Sequence, residues 1–255
     1  MSVIAALLPE PVASAEAFDD SAPCELFPDE ERAIAKAVEK RRREFTTVRG
    51  CARRALAALG YPPVPIVPGP RGGPVWPEGV VGSMTHCAGY RAAVVAHAWD
   101  IATLGVDAEP NEPLPSGVLD VVALDEERRW VAAYLRDHPA VRWDRLLFSV
   151  KEAVYKAWFP LTRRWLDFDQ AAVTVDPRHG AFHARLLVDG PVLADDSRLD
   201  RFTGRWAAGR DLLVTAIAVP AAPGVVEAGA AVDAVPGDRP PAGGRHRSGR
   251  PVLET

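Results

Sequence analysis

Residues 148–158, with the sequence FSVKEAVYKAW, constrain the fold more than any other stretch of this chain. Apolar residues recur here at helical spacing, which predicts an amphipathic helix. Its buried face comprises Leu147, Val150, Val154, Ala157 and Trp158. We expect the helix to end at Pro160, because proline cannot donate the backbone hydrogen bond that would continue it. Such a helix must pack its apolar face against a second layer of structure.

The charged residues of this helix allow two interpretations. Glu152 and Lys156 lie four residues apart on the face opposite the apolar one, with Lys151 and Tyr155 along its margin. In the first interpretation they form an ordinary surface salt bridge, worth roughly 0.3–0.5 kcal/mol. In the second they belong to a binding or catalytic site. The helix alone favours the first interpretation, and a carboxylate pair upstream changes the balance.

Composition and length exclude several classes of protein. A chain of 255 residues can bury one large core or two small ones. No apolar run reaches the ~18–20 residues that a membrane span needs, and the N-terminal stretch lacks the basic lead-in of a signal peptide. Cys24, Cys51 and Cys87 show no paired spacing, which argues against a disulfide framework and a zinc site. We therefore expect a cytoplasmic protein with no membrane partner.

Positive charge is concentrated in residues 40–54, KRRREFTTVRGCARR, although the net charge of the chain is −4. Arg42, Arg49 and Arg53 can project from nearby helical turns toward one anion. A solvated basic face is the alternative interpretation. A nucleic-acid-binding module is a second class of function, but the negative net charge and the lack of an aromatic-studded basic face disfavour it.

Helices and strands are predicted in a definite order. Two helices are expected at 29–43 and 44–59, after a Pro- and Ala-rich strap over residues 1–27. Residues 61–79 hold too much proline and glycine for regular structure. The apolar period then changes to two and predicts an antiparallel meander of three strands, 80–87, 90–98 and 102–109. After these we expect helices at 124–136 and 143–159, and strands near 171–175, 181–188, 200–207 and 211–219.

Helices followed by antiparallel strands thus occur twice, which predicts two similar halves at 1–112 and 113–220. A ligand site is expected between them, since sites favour such interfaces. Residues 221–255 contain no Phe, Trp or Tyr, and 11 of the 35 are proline or glycine. We expect a disordered tail there, because such a segment cannot bury enough apolar surface to order itself.

Two carboxylates, Asp107 and Glu109, lie two residues apart near a strand end that Pro110 closes. Side chains at this spacing share one face of a strand, where their charges repel unless a cation lies between them. Oxygen ligands without histidine or cysteine suit a hard ion such as Mg²⁺. The alternative is a pair of solvated acids.

Polar residues on the preceding strand add possible phosphate ligands, namely Ser83, Thr85 and His86. Together with the three acids, two lysines and the arginines, they suit a multiply phosphorylated molecule bound through Mg²⁺. The same inventory suits transfer of a phosphate-linked group, where catalysis is mostly positioning and neutralisation of charge. The chain has no Gly-rich phosphate loop and no GxGxxG motif, so neither a nucleotide kinase nor a dinucleotide fold is indicated.

Four segments together resemble the 4′-phosphopantetheinyl transferases of the Sfp type, within them the subgroup of the enterobactin and mycobacterial enzymes. They are KRRREFTTVRGCAR, GGPVWPEGVVGSMTHCAGYRAAVV, LGVDAEPNEPLPSGVL and FSVKEAVYKAWFPLTRRWLDF. The resemblance covers about residues 25–219. Its most specific part is GVDAE followed some forty residues later by FSVKEAVYK. The resemblance implies an α/β (α+β) pseudo-twofold fold of two similar halves with coenzyme A in the cleft between them.

The resemblance also implies an activity: transfer of the phosphopantetheine arm to a serine of an apo acyl or peptidyl carrier protein, with release of 3′,5′-ADP. The implied metal ligands, for Mg²⁺ with Mn²⁺ as an alternative, are Asp107, Glu109 and Glu152. The implied catalytic residues are Glu152, Lys156 and Lys151. The implied coenzyme A contacts are Arg41, Arg49, Arg71, Ser83, Thr85, His86, Asp107, Lys151, Tyr155 and Lys156.

Some roles stay open at this level. The proton acceptor is Glu152 or, as in some relatives, an acid of the following helix, Glu126 or Glu127. The rim residues Arg163, Arg164 and Trp165 either dock an acidic carrier protein or only pack the helix end. An inactive coenzyme A-binding relative is the alternative function. Relatives of this length are usually monomers, and we expect a monomer that binds no nucleic acid.

Overall fold

Two antiparallel sheets and five α-helices form the computed structural model, which describes residues 2–22, 24–194 and 196–221. The helices are α1 Pro28–Ala33, α2 Glu39–Ala58, α3 Val118–Val122, α4 Asp125–Asp137 and α5 Trp143–Thr162. The strands are β1 Ala13–Ala17, β2 Val80–Cys87, β3 Tyr90–His97, β4 Ile101–Pro110, β5 Ala171–Asp176, β6 Ala181–Leu186, β7 Arg201–Gly209 and β8 Leu212–Pro220. The predicted mixed α/β class is confirmed.

The strands form a sheet of order β1-β3-β2 and a sheet of order β4-β8-β7-β6-β5. The predicted three-strand meander is therefore wrong in its last strand. β4 pairs with β8, so that Asp107 lies opposite Thr215 and Glu109 opposite Leu213. Seven consecutive residues of β4 are buried, so the strand must be covered by other elements along its length. β8 pairs with one edge of β4, and β2 lies beside the other.

Two hydroxyl groups join the sheets along the line where β2 lies beside β4. Ser83 Oγ accepts the backbone N–H of Val106 at 3.1 Å, and Thr85 Oγ1 accepts that of Ala108 at 3.0 Å. Both hydroxyl residues are buried. Side-chain oxygens thus satisfy backbone donors of β4 that would otherwise be unpaired in the interior.

The N-terminal strap contains a strand that its sequence, ASAEA, did not predict. β1 pairs antiparallel with β3. Glu16 within it accepts the backbone N–H groups of Val3 and Ile4 and the hydroxyl of Tyr90, the last at 2.7 Å. Small and polar side chains show no apolar alternation, so the period-two signal was missing although the backbone pairs regularly.

The basic segment forms one long helix, α2, and not the junction of two. The predicted helix over 29–43 is interrupted between α1 and α2, where the backbone leaves helical geometry at Ile34 and is extended at Val38. The carbonyl of Ile34 accepts Arg42 Nη1 at 2.9 Å. Arg53 donates to both carboxylate oxygens of the fully buried Glu30, at 2.9 and 3.0 Å. Arg49 Nε donates to the carbonyl of Ile66 at 3.0 Å. These three arginines therefore hold neighbouring segments together, and the predicted convergence on one anion is wrong.

Helix α5 confirms the predicted apolar face and corrects the predicted end. The five residues of that face are fully buried. Pro160 lies inside the helix, in its last turn, and the helix ends before Arg163, whose φ is 55°. A proline this close to the end removes one backbone hydrogen bond, and Arg163 N–H still closes the last turn onto Phe159 at 2.8 Å.

Helix α5 approaches β4 closely at a glycine. A Cβ at Gly105 would lie 2.1 Å from the carbonyl oxygen of Ala153 and 2.9 Å from the Cβ of Ala157. Thr103 Oγ1 adds a hydrogen bond to the carbonyl of Ala157 at 2.8 Å. The absence of a side chain at residue 105 is what allows the helix to lie on this strand.

Two predictions concern regions that the structure does not test. The boundary between halves at 1–112 and 113–220 stays a prediction. The disordered tail predicted over 221–255 lies outside the described residues, except Ala221, whose N–H donates to the carbonyl of Asp100 at 2.9 Å. Across the described residues, no helix is both long and apolar enough to cross a membrane.

We predict that Gly105→Ala lowers the free energy of unfolding by about 1–3 kcal/mol, because the added methyl group meets backbone that must move. Thermal unfolding measures the change. Gly209→Ala is the matched control, since a Cβ there meets no atom within 4 Å. Equal melting temperatures for the two variants would contradict the close contact of α5 with β4.

Candidate active site

The charged face of α5 meets the acids of β4. Lys156 Nζ donates to Asp107 Oδ1 at 2.7 Å. The side chain of Asp107 is 2% exposed and that of Lys156 is 25% exposed, so solvent reaches the pair past Lys156. We call the partly exposed surface around Asp107, Glu152 and Lys156 the opening. Asp107 Oδ2 is buried and has no hydrogen-bond partner among the described residues. A buried carboxylate oxygen without a donor is a position for an external cation or proton donor.

Glu152 lies one helical turn before Lys156. Burial raises the pKa of Glu152 to about 7, and the charge of Asp107 adds to the effect while Lys156 opposes it. Burial lowers the pKa of Lys156, but Asp107, Glu152 and Glu109 outweigh burial and raise it. Lys156 is therefore fully charged at neutral pH, whereas Glu152 is divided between its charged and neutral forms.

Glu109 is the third acid of this group and has its own partner. Arg145 Nη1 donates to Glu109 Oε2 at 2.9 Å. Burial, followed by the charge of Asp107, raises the pKa of Glu109 to about 7 despite that arginine. Sequence reasoning missed Arg145. Its spacing of seven residues from Glu152 places both on one helix face, which is the signal that would have identified it.

The three acids do not form a complete metal shell. Across residues 2–22, 24–194 and 196–221, no group of three or more His, Cys, Asp or Glu side chains is arranged to hold a metal ion. Lys156 and Arg145 contact Asp107 and Glu109 respectively and take the place of a cation there. The unpartnered Asp107 Oδ2 and the raised pKa of Glu152 nevertheless fit a hard divalent cation, which would relieve the repulsion between these carboxylates.

His86 lies in the same opening and is neutral. Burial lowers its pKa to about 3, followed by the charges of Arg41 and Lys156. Arg41 Nη1 contacts His86 Nε2, and because an arginine can only donate, that nitrogen accepts. The other ring nitrogen then carries the proton and faces Glu44 at 3.9 Å. His86 therefore holds Arg41, which stays exposed.

The remaining predicted ligand contacts divide into two groups. Ser83 and Thr85 are committed to the line between the sheets, and Thr85 Oγ1 also donates weakly to Asp107 Oδ1 at 3.4 Å. Arg49 is buried with its guanidinium 3.7 Å from the ring centre of Phe45, and burial lowers its pKa to about 10. All three residues are buried, so their side chains support the site from the protein interior.

The loop that carries Arg71 contacts the segment that follows α5. Arg71, in the left-handed conformation at φ 57°, places its guanidinium 5.5 Å from the ring centre of Trp165. Trp165 lies 4.9 Å from Tyr155, ring centre to ring centre, and is 51% exposed. The hydroxyl of Tyr155 is buried without a partner in the described residues. Arg71 and Tyr155 are therefore brought to the same end of the opening.

Two of the three predicted rim residues pack the end of α5. Arg164 lies over Trp158 at 5.1 Å, and its carbonyl accepts Trp158 Nε1 at 3.0 Å. Arg163 lies over Phe159 at 6.0 Å. Trp165 is the member of the set that exposes a large apolar surface.

Lys151 does not contact Asp107, Glu109 or Glu152. Its ammonium donates to Glu127 Oε2 at 2.6 Å and to two backbone carbonyls, on the side of α5 that faces α4. Glu127 is fully buried in that contact, whereas Glu126 is exposed to solvent at the start of α4. Neither alternative proton acceptor lies in the opening beside Asp107.

Carboxylates with raised pKa values, a charged lysine and an exposed arginine come together where α5 lies on β4, an arrangement that suits a transferase acting on phosphate groups. Residues 29–96 match the family model described as the 4′-phosphopantetheinyl transferase N-terminal domain. Residues 103–194 match the 4′-phosphopantetheinyl transferase superfamily. The first match includes His86 and the second includes Asp107.

Similar proteins agree with these matches. The chain is 57% identical to the 4′-phosphopantetheinyl transferase Svp of Streptomyces mobaraensis over 93% of this chain and 98% of that protein. It is 49% identical to the 4′-phosphopantetheinyl transferase Npt of Nocardia iowensis over 85% and 99%. It is 48% identical to the 4′-phosphopantetheinyl transferase PptT of Mycobacterium tuberculosis over 85% and 96%. The chain belongs to the 4′-phosphopantetheinyl transferase family and is a transferase.

The raised pKa of Glu152 predicts a pH-dependent stability. A carboxyl group with a folded-state pKa near 7 and an ordinary value of 4.5 stabilises the fold below about pH 4.5, and that stability is lost as the pH rises to about 7. In EDTA, Glu152→Gln should therefore melt about 3–6 °C above the wild type at pH 8, with a smaller difference at pH 5.

Differential scanning calorimetry of both proteins at the two pH values measures this difference. The matched control is Glu78→Gln, which changes an exposed glutamate outside the site. A melting difference for Glu152→Gln that is equal at pH 5 and pH 8 would show that this carboxyl group titrates normally.

Proposed function

We propose that this protein transfers the 4′-phosphopantetheine arm of coenzyme A to a serine of an apo acyl or peptidyl carrier protein, with Mg²⁺, and releases 3′,5′-ADP. The observation that supports this most is the contact of Lys156 with Asp107, which joins the GVDAE and FSVKEAVYK motifs in one opening. Relatives at 48–57% identity bear the name of this transferase.

The reaction breaks a phosphoanhydride bond of coenzyme A and forms a phosphate ester bond to serine. The serine oxygen of the carrier forms a bond to the phosphorus that bears pantetheine, and the bond from that phosphorus to the bridging pyrophosphate oxygen breaks. 3′,5′-ADP leaves with the negative charge. Lys156 neutralises this charge because its ammonium stays protonated beside the acids. The serine proton needs an acceptor within the opening.

Glu152 is the proton acceptor in this proposal. A general base works best when its pKa is near the working pH. Burial raises the pKa of Glu152 to about 7 in the protein without a cation, and a cation held by the same carboxylate would lower it. Glu127 is committed to Lys151 and two backbone donors, and Glu126 lies exposed on α4. A carboxylate has two oxygens, so Glu152 can face a cation with one and the serine hydroxyl with the other.

Asp107 and Glu152, with Glu109 beside them, would hold the divalent cation. When bound, such an ion would withdraw electron density from the pyrophosphate of coenzyme A and neutralise part of its charge. Mn²⁺ satisfies the same oxygen ligands and is expected to substitute. Arg145 limits the contribution of Glu109, because it holds one oxygen of that carboxylate at 2.9 Å.

The exposed cations would bind the outer phosphates. Arg41, held by the neutral His86, offers its remaining N–H donors to a phosphate, and the exposed Arg71 beside Trp165 would offer its own. The buried hydroxyl of Tyr155 has no partner among the described residues and would donate to the pantetheine arm. Arg49 would act through its charge, since its Nε is already bonded to Ile66.

The carrier protein would dock at the Trp165 end of the opening. Trp165 is half exposed, and Arg163 and Arg164 flank it with positive charge. An acidic surface around the acceptor serine complements this rim. Which carrier proteins are accepted depends on contacts that the carrier itself contributes.

The activity is measured by intact mass spectrometry of an apo carrier protein incubated with this protein, coenzyme A and Mg²⁺. We expect a mass gain of one phosphopantetheine arm, and no gain in EDTA. Asp107→Ala and Glu152→Ala should each lower kcat at least 100-fold, because each removes a group that acts on the phosphate. Thermal unfolding confirms that both variants fold.

The exposed acid Glu78 supplies the matched control, and Glu78→Ala should keep wild-type activity. Full activity of both site variants would overturn the assigned roles. Coenzyme A binding without transfer to acyl or peptidyl carriers would indicate the inactive relative. Salt-sensitive nucleic-acid binding without Mg²⁺ would support the other class of function.

A further inference from the structure

The ammonium group of Lys151 has no free donor. Its three N–H groups donate to the carbonyl of Val122 at 2.9 Å, to Glu127 Oε2 at 2.6 Å and to the carbonyl of Phe168 at 2.7 Å. The side chain is 2% exposed. A lysine whose three donors are all satisfied inside the protein has none left for a phosphate of the substrate.

The carboxylate of Glu127 is equally committed. Besides Lys151 it accepts the backbone N–H of Leu124 at 2.7 Å and that of Val173 at 2.7 Å. Its side chain is 0% exposed. Val173 belongs to β5, an edge strand of the larger sheet, so Glu127 satisfies a donor that has no neighbouring strand. A carboxylate in this position cannot reach the hydroxyl of a substrate.

The pair connects one side of α5 to four other segments. Val122 ends α3, Glu127 lies in α4, Phe168 begins a short 3₁₀ turn and Val173 lies in β5. On its other side α5 lies on β4 at Gly105. A helix held from both sides has a fixed rotation about its axis. Because adjacent helical residues point about 100° apart, the rotation that buries Lys151 also sets the direction of Glu152.

We propose that Lys151 and Glu127 form a positioning pair, which fixes the rotation of α5 so that Glu152 and Lys156 face Asp107. Neither residue of the pair touches substrate. This inference rests on the proposed function of the Asp107 site and assigns to Lys151 a role other than contact with phosphate. It also excludes Glu127 as the general base.

The test compares Lys151→Met, Glu127→Gln and the double variant that carries both. Lys151→Met leaves the buried carboxylate of Glu127 without its cation, and Glu127→Gln leaves the buried ammonium of Lys151 without its anion. The double variant carries neither of these two charges. The amide of glutamine still accepts a backbone N–H. We expect kcat to fall about tenfold or more in Lys151→Met, with a melting temperature lower by about 6–12 °C. The double variant should recover to within about threefold of wild-type kcat.

Coenzyme A binding, measured by calorimetry, gives a second readout. The double variant should bind coenzyme A within about threefold of the wild type. If Lys151 contacted a phosphate, loss of a charged hydrogen bond would weaken binding about tenfold or more in Lys151→Met and in the double variant alike. That result would overturn the proposal. A double variant as inactive as Glu127→Gln alone, with coenzyme A binding intact, would identify Glu127 as a base and overturn it as well.

All assays are run below the lowest melting temperature, and exposed Lys36→Met is the matched lysine control. If a single variant fails to fold, the double variant still decides the question, since recovery shows that neither charge takes part in the chemistry. A wild-type protein without transfer activity would contradict the proposed function and not the positioning role, which the melting temperatures of the three variants test separately.

Discussion

The structure depends on the close approach of one helix to one strand. At Gly105 the backbone of α5 occupies the space that a side chain would need. A Cβ added to Gly105 would lie 2.1 Å from the carbonyl oxygen of Ala153. This contact places Lys156 within 2.7 Å of Asp107, although the two residues are 49 positions apart in the chain. The glycine of the GVDAE motif is therefore needed for steric reasons. Because it has no side chain, α5 can lie on β4 and bring the FSVKEAVYK motif to the GVDAE motif.

Electrostatic repulsion is built into this contact. Three acids lie near each other, and among the described residues Lys156 and Arg145 offset them. Burial first, and then the charge of Asp107, raises the pKa values of Glu109 and Glu152 to about 7. Buried carboxylates in such an arrangement lower the stability of the fold at neutral pH. In the proposed function, a divalent cation that binds with the phosphates of the reactants would relieve that repulsion and so stabilise the protein.

Charges that look alike in the sequence have different tasks. The arginines of α2 lie in one basic segment, yet Arg53 donates to the buried Glu30 while Arg41 stays exposed and donates to His86. Lys151 and Lys156 share a motif, but the ammonium of Lys151 donates to Glu127 and two backbone carbonyls, whereas that of Lys156 donates to Asp107. The type of a side chain determines which interactions it can make. Tertiary packing determines which partner each charged group contacts.

The sequence by itself determined the mixed α/β class, the strands of the second sheet, the buried face of α5 and the acids of the site, because local periodicity and residue chemistry carry that information. It did not determine that β4 pairs with β8, that β1 is a strand, or that Arg145 holds Glu109. Those features are contacts between residues distant in the chain. The tertiary structure decided them, since burial of β4 and the rotation of α5 follow from every neighbouring element at once.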